Sequence, residues 1–185
     1  MITFRTFWPA LLAFSVACSA PAPTDLPPGV LMRQDFDALN GWNGVLADGA
    51  ASLLSTRVAH SGRCSARVGG ATEYGLGFQM PLGELLKKRP KSLEVSYWCY
   101  RVDAAGNAAT VVCAIKRPSN NQQLLWQGAD LSKEVQKDQT WTKITQRIDL
   151  PAETDFSDVL HIYTWRGAAV GDVYFDDVEV RTLTD

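Results

Sequence analysis

From Leu31 to the C-terminus, apolar and polar residues alternate with a period of two, and clusters of Gly, Pro, Asn and Asp break the alternation at short intervals. Such a chain presents one apolar face per strand and has no long 3.6-residue stripe, so it must pair strands rather than stack helices. The alternation predicts about ten strands: 31–37, 50–56, 63–69, 74–81, 92–102, 109–117, 123–128, 141–150, 159–166 and 172–180. Only "LGELLKKR" (82–89) has the composition for a turn or two of helix. Short strands in this number, with turn signals between them, imply an all-β, antiparallel two-sheet β-sandwich in one domain.

Facing follows strand by strand. In 92–102 the odd positions Leu93, Val95, Tyr97 and Cys99 belong in the core, which leaves Glu94, Ser96, Trp98 and Tyr100 outside. In 109–117 the inward residues are Val111, Cys113 and Ile115. Reading "DAAGN" (103–107) as a hairpin turn sets Cys99 opposite Cys113, either as a disulfide or as two packed thiols. In 159–166, Leu160, Ile162 and Thr164 share one face and His161, Tyr163 and Trp165 the other; burial of the aromatic face is the alternative. Trp42 is expected to cap the core beneath a loop, and Leu124–Leu125 leave the facing of Trp126 open.

The strand "DVYFDDVEV" (172–180) raises a question of its own, because adjacent Asp176 and Asp177 must point to opposite faces. A carboxylate on the face of Tyr174, Val178 and Val180 requires a partner if that face is the core, since burying an unpaired charge costs several kcal/mol.

The first residues form a separate unit. "MITFRTFWPALLAFSVACSA" has an early cation, an apolar run too short to span a bilayer, then small residues, the order of an export signal. Ser15–Val16–Ala17–Cys18 resembles a bacterial lipoprotein box, with Ser15 where such boxes usually hold Leu, Val or Ile. The resemblance implies lipidation at Cys18 and an envelope location, reached through a membrane anchor. Ordinary cleavage and secretion is the alternative, and membrane fractionation against Cys18→Ala separates the two. Residues 19–29 are a Pro-rich linker, and 30–185 the folded domain. After Cys18 the odd count of three cysteines leaves at least one unpaired within the chain, and none has C-x-x-C spacing.

A net charge of −2 gives no basic footprint for nucleic acid. No hydrolase motif is present: there is no G-x-S-x-G, no H-E-x-x-H and no strand motif of paired glutamates.

"DFDALNGW", "VAHSGRCSARV" (58–68), "WTKITQRIDLP" (141–151) and "VYFDDVEV" occur in the order found in jelly-roll carbohydrate-binding modules, and the chain resembles families four, nine and twenty-two of these. The resemblance implies a jelly roll with a non-catalytic, glycan-binding role, monomeric, recognising a polysaccharide or oligosaccharide on an outer sheet face or in edge loops. It also implies a structural calcium between Asp37, where the family often has Glu, and Asp176, completed by carbonyls near Ser61–Gly62. The expected platform is Trp98 and Tyr100, extended by Tyr163 and Trp165 with His161 and Glu94 beside them if the two strands share a sheet. Sugar rings would stack on these side chains through their C–H faces. A protein-interaction module without sugar binding is the competing expectation, and a small polysaccharide-active enzyme a more distant one.

Overall fold

The computed structural model of the protein describes residues 26–44, 53–70 and 72–183; the export signal and Cys18 lie outside the described residues. The strands are β1 (Val30–Gln34), β2 (Asn43–Gly44), β3 (Leu54–Ser55), β4 (Ser65–Val68), β5 (Tyr74–Pro81), β6 (Ser92–Arg101), β7 (Thr110–Arg117), β8 (Gln122–Gly128), β9 (Thr142–Asp149), β10 (Val159–Trp165) and β11 (Val173–Leu183). Two single-turn helices interrupt them, α1 (Leu82–Leu85) within the expected 82–89 segment and α2 (Leu131–Glu134).

The strands form two antiparallel sheets, as the alternation predicts. Sheet A runs β3-β4-β11-β6-β9, with β1 also paired to β11; sheet B runs β2-β5-β10-β7-β8. Strand β11 organises sheet A. Its first half pairs with β4 and its second half with β1, while β6 lies along its other edge throughout. The core between the sheets is filled by the residues that the alternation turns inward: Leu93, Val95, Tyr97 and Cys99 from β6, Val111, Cys113 and Ile115 from β7, and Leu160 and Ile162 from β10. Full burial of one such aliphatic side chain contributes about 1.5–3 kcal/mol. The Tyr97 hydroxyl stays satisfied within this layer, accepting from Gln146 Nε2 at 3.2 Å. Trp42 is 1% exposed and meets Phe36 edge-on with ring centroids 5.3 Å apart, capping the core as expected.

The hairpin reading of 92–117 is overturned. Among the described residues, strand β6 pairs only with β11 and β9, and β7 only with β10 and β8, so the two lie in different sheets. The connection is a 3-10 turn over Ala104–Gly106, capped where Asp103 accepts the Ala105 N–H at 2.9 Å. Gly106 lies so close to sheet A that a Cβ there would stand 2.5 Å from Val173 Cγ2. The chain therefore passes over the end of the sandwich instead of folding back beside β6. Cys99 and Cys113 face the core from opposite sheets as free thiols, and burial pushes both pKa values up.

The two aspartates of β11 are resolved by a bulge. Register slips between Asp176 and Glu179, and Asp177 takes a left-handed φ of 47°. Tyr174 and Asp176 therefore point outward, opposite Tyr100 and Trp98, while Val178 and Val180 return to the core. Asp176 never enters the core, and the inference that it shares a face with Val178 fails at the bulge.

Candidate functional site

The six residues expected to form one binding platform are divided between opposite faces of the molecule. Trp98, Tyr100 and Glu94 project from β6 on the outside of sheet A; His161, Tyr163 and Trp165 project from β10 on the outside of sheet B. The condition that both strands share a sheet is not met.

On sheet A, Trp98 does not offer both ring faces. His60, from the loop before β4, stacks on it with centroids 3.8 Å apart and planes 15° from parallel. Trp141 meets His60 edge-on at 5.6 Å and tilts over Tyr100 at 5.4 Å, and Tyr100 meets Tyr174 at 6.1 Å. These rings form a self-contained cluster. Glu94 stands apart from it, level with Arg181 and Arg147 in the charged half of the face. A groove of about 1000 Å³ runs past Trp98, Ser96, Lys143, Glu179 and Arg33.

Three carboxylates hold the loop that carries His60. Asp176 is 0% exposed and accepts the N–H groups of His60 at 2.8 Å, Ser61 at 3.2 Å and Asp177 at 2.8 Å. Burial is the main reason its carboxyl is pushed up to about 6. Asp177 accepts from Ser61 Oγ at 2.6 Å and lies 2.5 Å from His60 Nδ1. Asp37 Oδ1 accepts the N–H groups of Arg63 and Cys64 at 2.7 and 2.9 Å. Gly62, at φ +57°, passes so near that a Cβ would lie 2.5 Å from Asp37 Oδ2. Backbone amides are thus the partners of Asp176.

Asp37 and Asp176, the pair to which the resemblance assigns calcium, do grip one loop. Asp37 Oδ2 receives no hydrogen bond among the described residues, and Asp176 Oδ1 receives only one. Those oxygens suit a hard cation. Among the described residues no three His, Cys, Asp or Glu side chains gather into a metal-binding group, so a calcium here fits only with backbone carbonyls or water completing its shell.

On sheet B the aromatics are arranged differently. In β10, His161, Tyr163 and Trp165 are partly exposed, while Leu160, Ile162 and Thr164 are buried, so the aromatic face is the outer one. Trp126, whose facing the sequence leaves open, points outward from β8 and is 44% exposed. Leu125 pairs with the inward Ile115 and Trp126 with the outward Ala114, while a register slip at Leu124 lies on the far side of Leu125. The Trp126 indole N–H donates to the Tyr163 hydroxyl at 3.2 Å, and its ring meets Trp165 edge-on at 5.7 Å. Tyr74, opposite Trp165 on β5, tilts toward Tyr163 at 6.2 Å.

Beneath these rings the floor is made of small side chains, with Val112 and Ala114 fully buried. Gly77 pairs with Tyr163 on one side, Val112 on the other, and Ala114 separates His161 from Trp126. Gln79 and Asn43 put amides at the margin. Burial, followed by the charge of Lys116, lowers the pKa of His161, and burial raises that of Tyr163. Sequence reasoning missed Trp126, Tyr74 and Gln79. The recoverable signal was small residues on β5 and β7 that alternate outward among bulky ones.

The architecture and this face define the class: a jelly-roll β-sandwich of the carbohydrate-binding-module type. Residues 29–169 match the family model described as "Carbohydrate binding domain", and the chain belongs to that family. Among solved structures it is similar to the CBM22-1 xylan-binding domain of Paenibacillus barcinonensis Xyn10C, at 18% identity and TM-score 0.53 over 84% of this chain and 96% of that one. It is similar to a xylan-binding domain from CBM 22, at 16% identity and TM-score 0.54, covering 84% and 96%. The CBM22-1–GH10 modules of Clostridium thermocellum Xyn10B, complexed with xylohexaose, match at 14% identity and TM-score 0.52, covering 84% of this chain and 29% of that one. No curated protein matched the chain by sequence.

Proposed function

We propose that this chain is a non-catalytic glycan-binding module and that a polysaccharide lies across the outer face of sheet B. The observation that carries the reading is the exposed Trp126 ring, held by Tyr163 and Trp165 above a floor of Gly77, Val112 and Ala114. A pyranose presents an apolar C–H face to such a ring, and its hydroxyls at the margin meet Gln79, Asn43 and His161. Indole and phenol side chains lose little conformational entropy when a ligand settles on them, because each has two χ angles. Membership of the carbohydrate binding domain family supports the reading. So do the names of the similar structures, two of them xylan-binding domains and one a complex with xylohexaose; a β-linked xylan is the polymer to try first.

Native affinity electrophoresis through gels containing xylan and a panel of other polysaccharides tests it. The expected result is retardation by at least one polymer. A folded protein that none of them retards removes the glycan reading and leaves the exposed aromatic face to a protein partner.

The clamp on loop 60–64 has a separate role in this proposal, as a calcium site using Asp37 and Asp176. A cation bound only by the native state raises stability by about 2.7 kcal/mol at a hundredfold excess over Kd. Coincident melting curves in calcium and in chelator would rule the ion out.

A further inference from the structure

The five strands of sheet B contain no Asp or Glu, although the whole chain has a net charge of −2. On its outer face the fixed charge is Lys116, which pairs in register with Val159 on one side and Gln123 on the other. It alternates with buried Ile115, so it projects on the same side as Ala114, His161 and Trp126. Along a strand, next-but-one residues lie about 6.6 Å apart, within the reach of a lysine side chain. Lys116 is thus one row from Trp126.

Among the described residues Lys116 has no ion-pair partner, unlike the cation next to it. Arg117 takes the buried carboxylate of Asp158, with its Nε at 3.0 Å from Oδ1 and its Nη2 at 2.9 Å from Oδ2. The acidic loop that contains Glu153, Asp155 and Asp158 acts on Arg117 as well, and those charges all raise the arginine's pKa. The pKa of His161 is lowered first by burial and then by the charge of Lys116. The neighbouring acids are thus engaged by one cation, and the other projects from the aromatic face one row from Trp126.

We propose that the sheet B face selects an acidic polysaccharide, with Lys116 receiving the carboxylate of a uronic acid branch one row from the sugar ring stacked on Trp126. This deepens the glycan reading above and rests on it. An ion pair at this exposure is weak in water, and a ligand lying against Trp126 excludes part of that water and strengthens it.

Calorimetric titration of the full chain with xylan bearing glucuronic acid branches, and with the same polymer after carboxyl reduction, tests the proposal. The wild type is expected to bind the acidic polymer about fivefold more tightly than the reduced one. Lys116→Gln should bring that ratio close to one, and 1 M NaCl should do the same to the wild type as the Debye length falls to about 3 Å. Equal affinity of the wild type for both polymers overturns the charge selection while leaving the glycan reading standing. A preference that persists in Lys116→Gln overturns the role of Lys116. Binding of neither polymer overturns this selection together with xylan as the polymer bound.

Discussion

The two outer faces of this sandwich each carry four large aromatic rings, and the rings are used differently. Around sheet A, Trp98, Tyr100, Trp141 and Tyr174 pack on one another and on His60, which three carboxylates hold in place through its loop. On sheet B, Tyr74, Tyr163, Trp165 and Trp126 stand over glycine, alanine and valine, and Trp126 keeps nearly half its surface in water. Charge divides the same way: sheet A includes Asp149, Asp176, Asp177 and Glu179, and sheet B has no carboxylate in its strands. An aromatic ring on a β-sheet is therefore not in itself a binding surface. What distinguishes the faces is how much ring surface the neighbouring side chains leave in water, and of these eight rings Trp126 is the one left exposed.

The sharpest way to break this contrast is Trp126→Ala. If sheet B binds the polysaccharide, losing a central exposed ring should weaken affinity by about thirtyfold or more, the scale of an interface hot spot. The melting temperature should barely move, because the ring covers little core. Retained affinity in a folded Trp126→Ala protein would move the site away from sheet B.

Trp98→Ala should do the reverse. The variant loses the His60 stack and the burial of a partly exposed indole, so a loss of about 2 kcal/mol is expected, with polysaccharide affinity kept. For a domain of this size that is a drop of roughly 4–8 °C in a thermal scan. A stable Trp98→Ala protein that has lost retention would restore sheet A as the binding face.

A smaller effect tests the clamp beneath His60. With its folded pKa of about 6 above the ordinary 3.8, Asp176 binds a proton more tightly in the native state than in the unfolded one. The stability it lends is therefore complete below about pH 4 and is lost as the pH rises toward 6. In chelator, the wild type should lose on the order of 1–2 kcal/mol across that window, and Asp176→Asn should flatten the slope. A wild-type profile that is level across the window in chelator would show that the loop amides, rather than burial, set the state of this carboxylate.

Much of the fold was legible in the alternation. Leu93, Val95, Tyr97 and Cys99 are inside and Trp98 and Tyr100 outside because successive side chains on a strand point to opposite faces wherever the strand lies. The same rule put Leu160 and Ile162 inward and Tyr163 and Trp165 outward. Strand β2, two residues long, was missed because no periodicity can show in so short a segment. Helix α2 was missed for the same reason; one turn stapled by Asp130 accepting from Ser132 N–H and Oγ leaves little pattern.

For the candidate site, the sequence by itself determined which side chains share a face, while burial of the Tyr163 and Trp165 face stayed an alternative and the facing of Trp126 stayed open. His161, Tyr163 and Trp165 could be grouped on one face of their own strand, and the structure turns that face outward. Only the tertiary structure decided which of them meet. Alternation separates inside from outside but carries no label for the sheet, because both sheets turn the same kind of face toward one shared core. Trp98 and Trp165 have the same local signature and lie on opposite sides of the molecule, since β6 and β10 sit in different sheets. Two local departures from regular geometry completed the decision. The close approach of Gly106 to Val173 sends β7 into sheet B, and the left-handed Asp177 restores Val178 to the core while leaving Asp176 outside. Both depend on contacts between residues far apart in the chain, which a period of two cannot record.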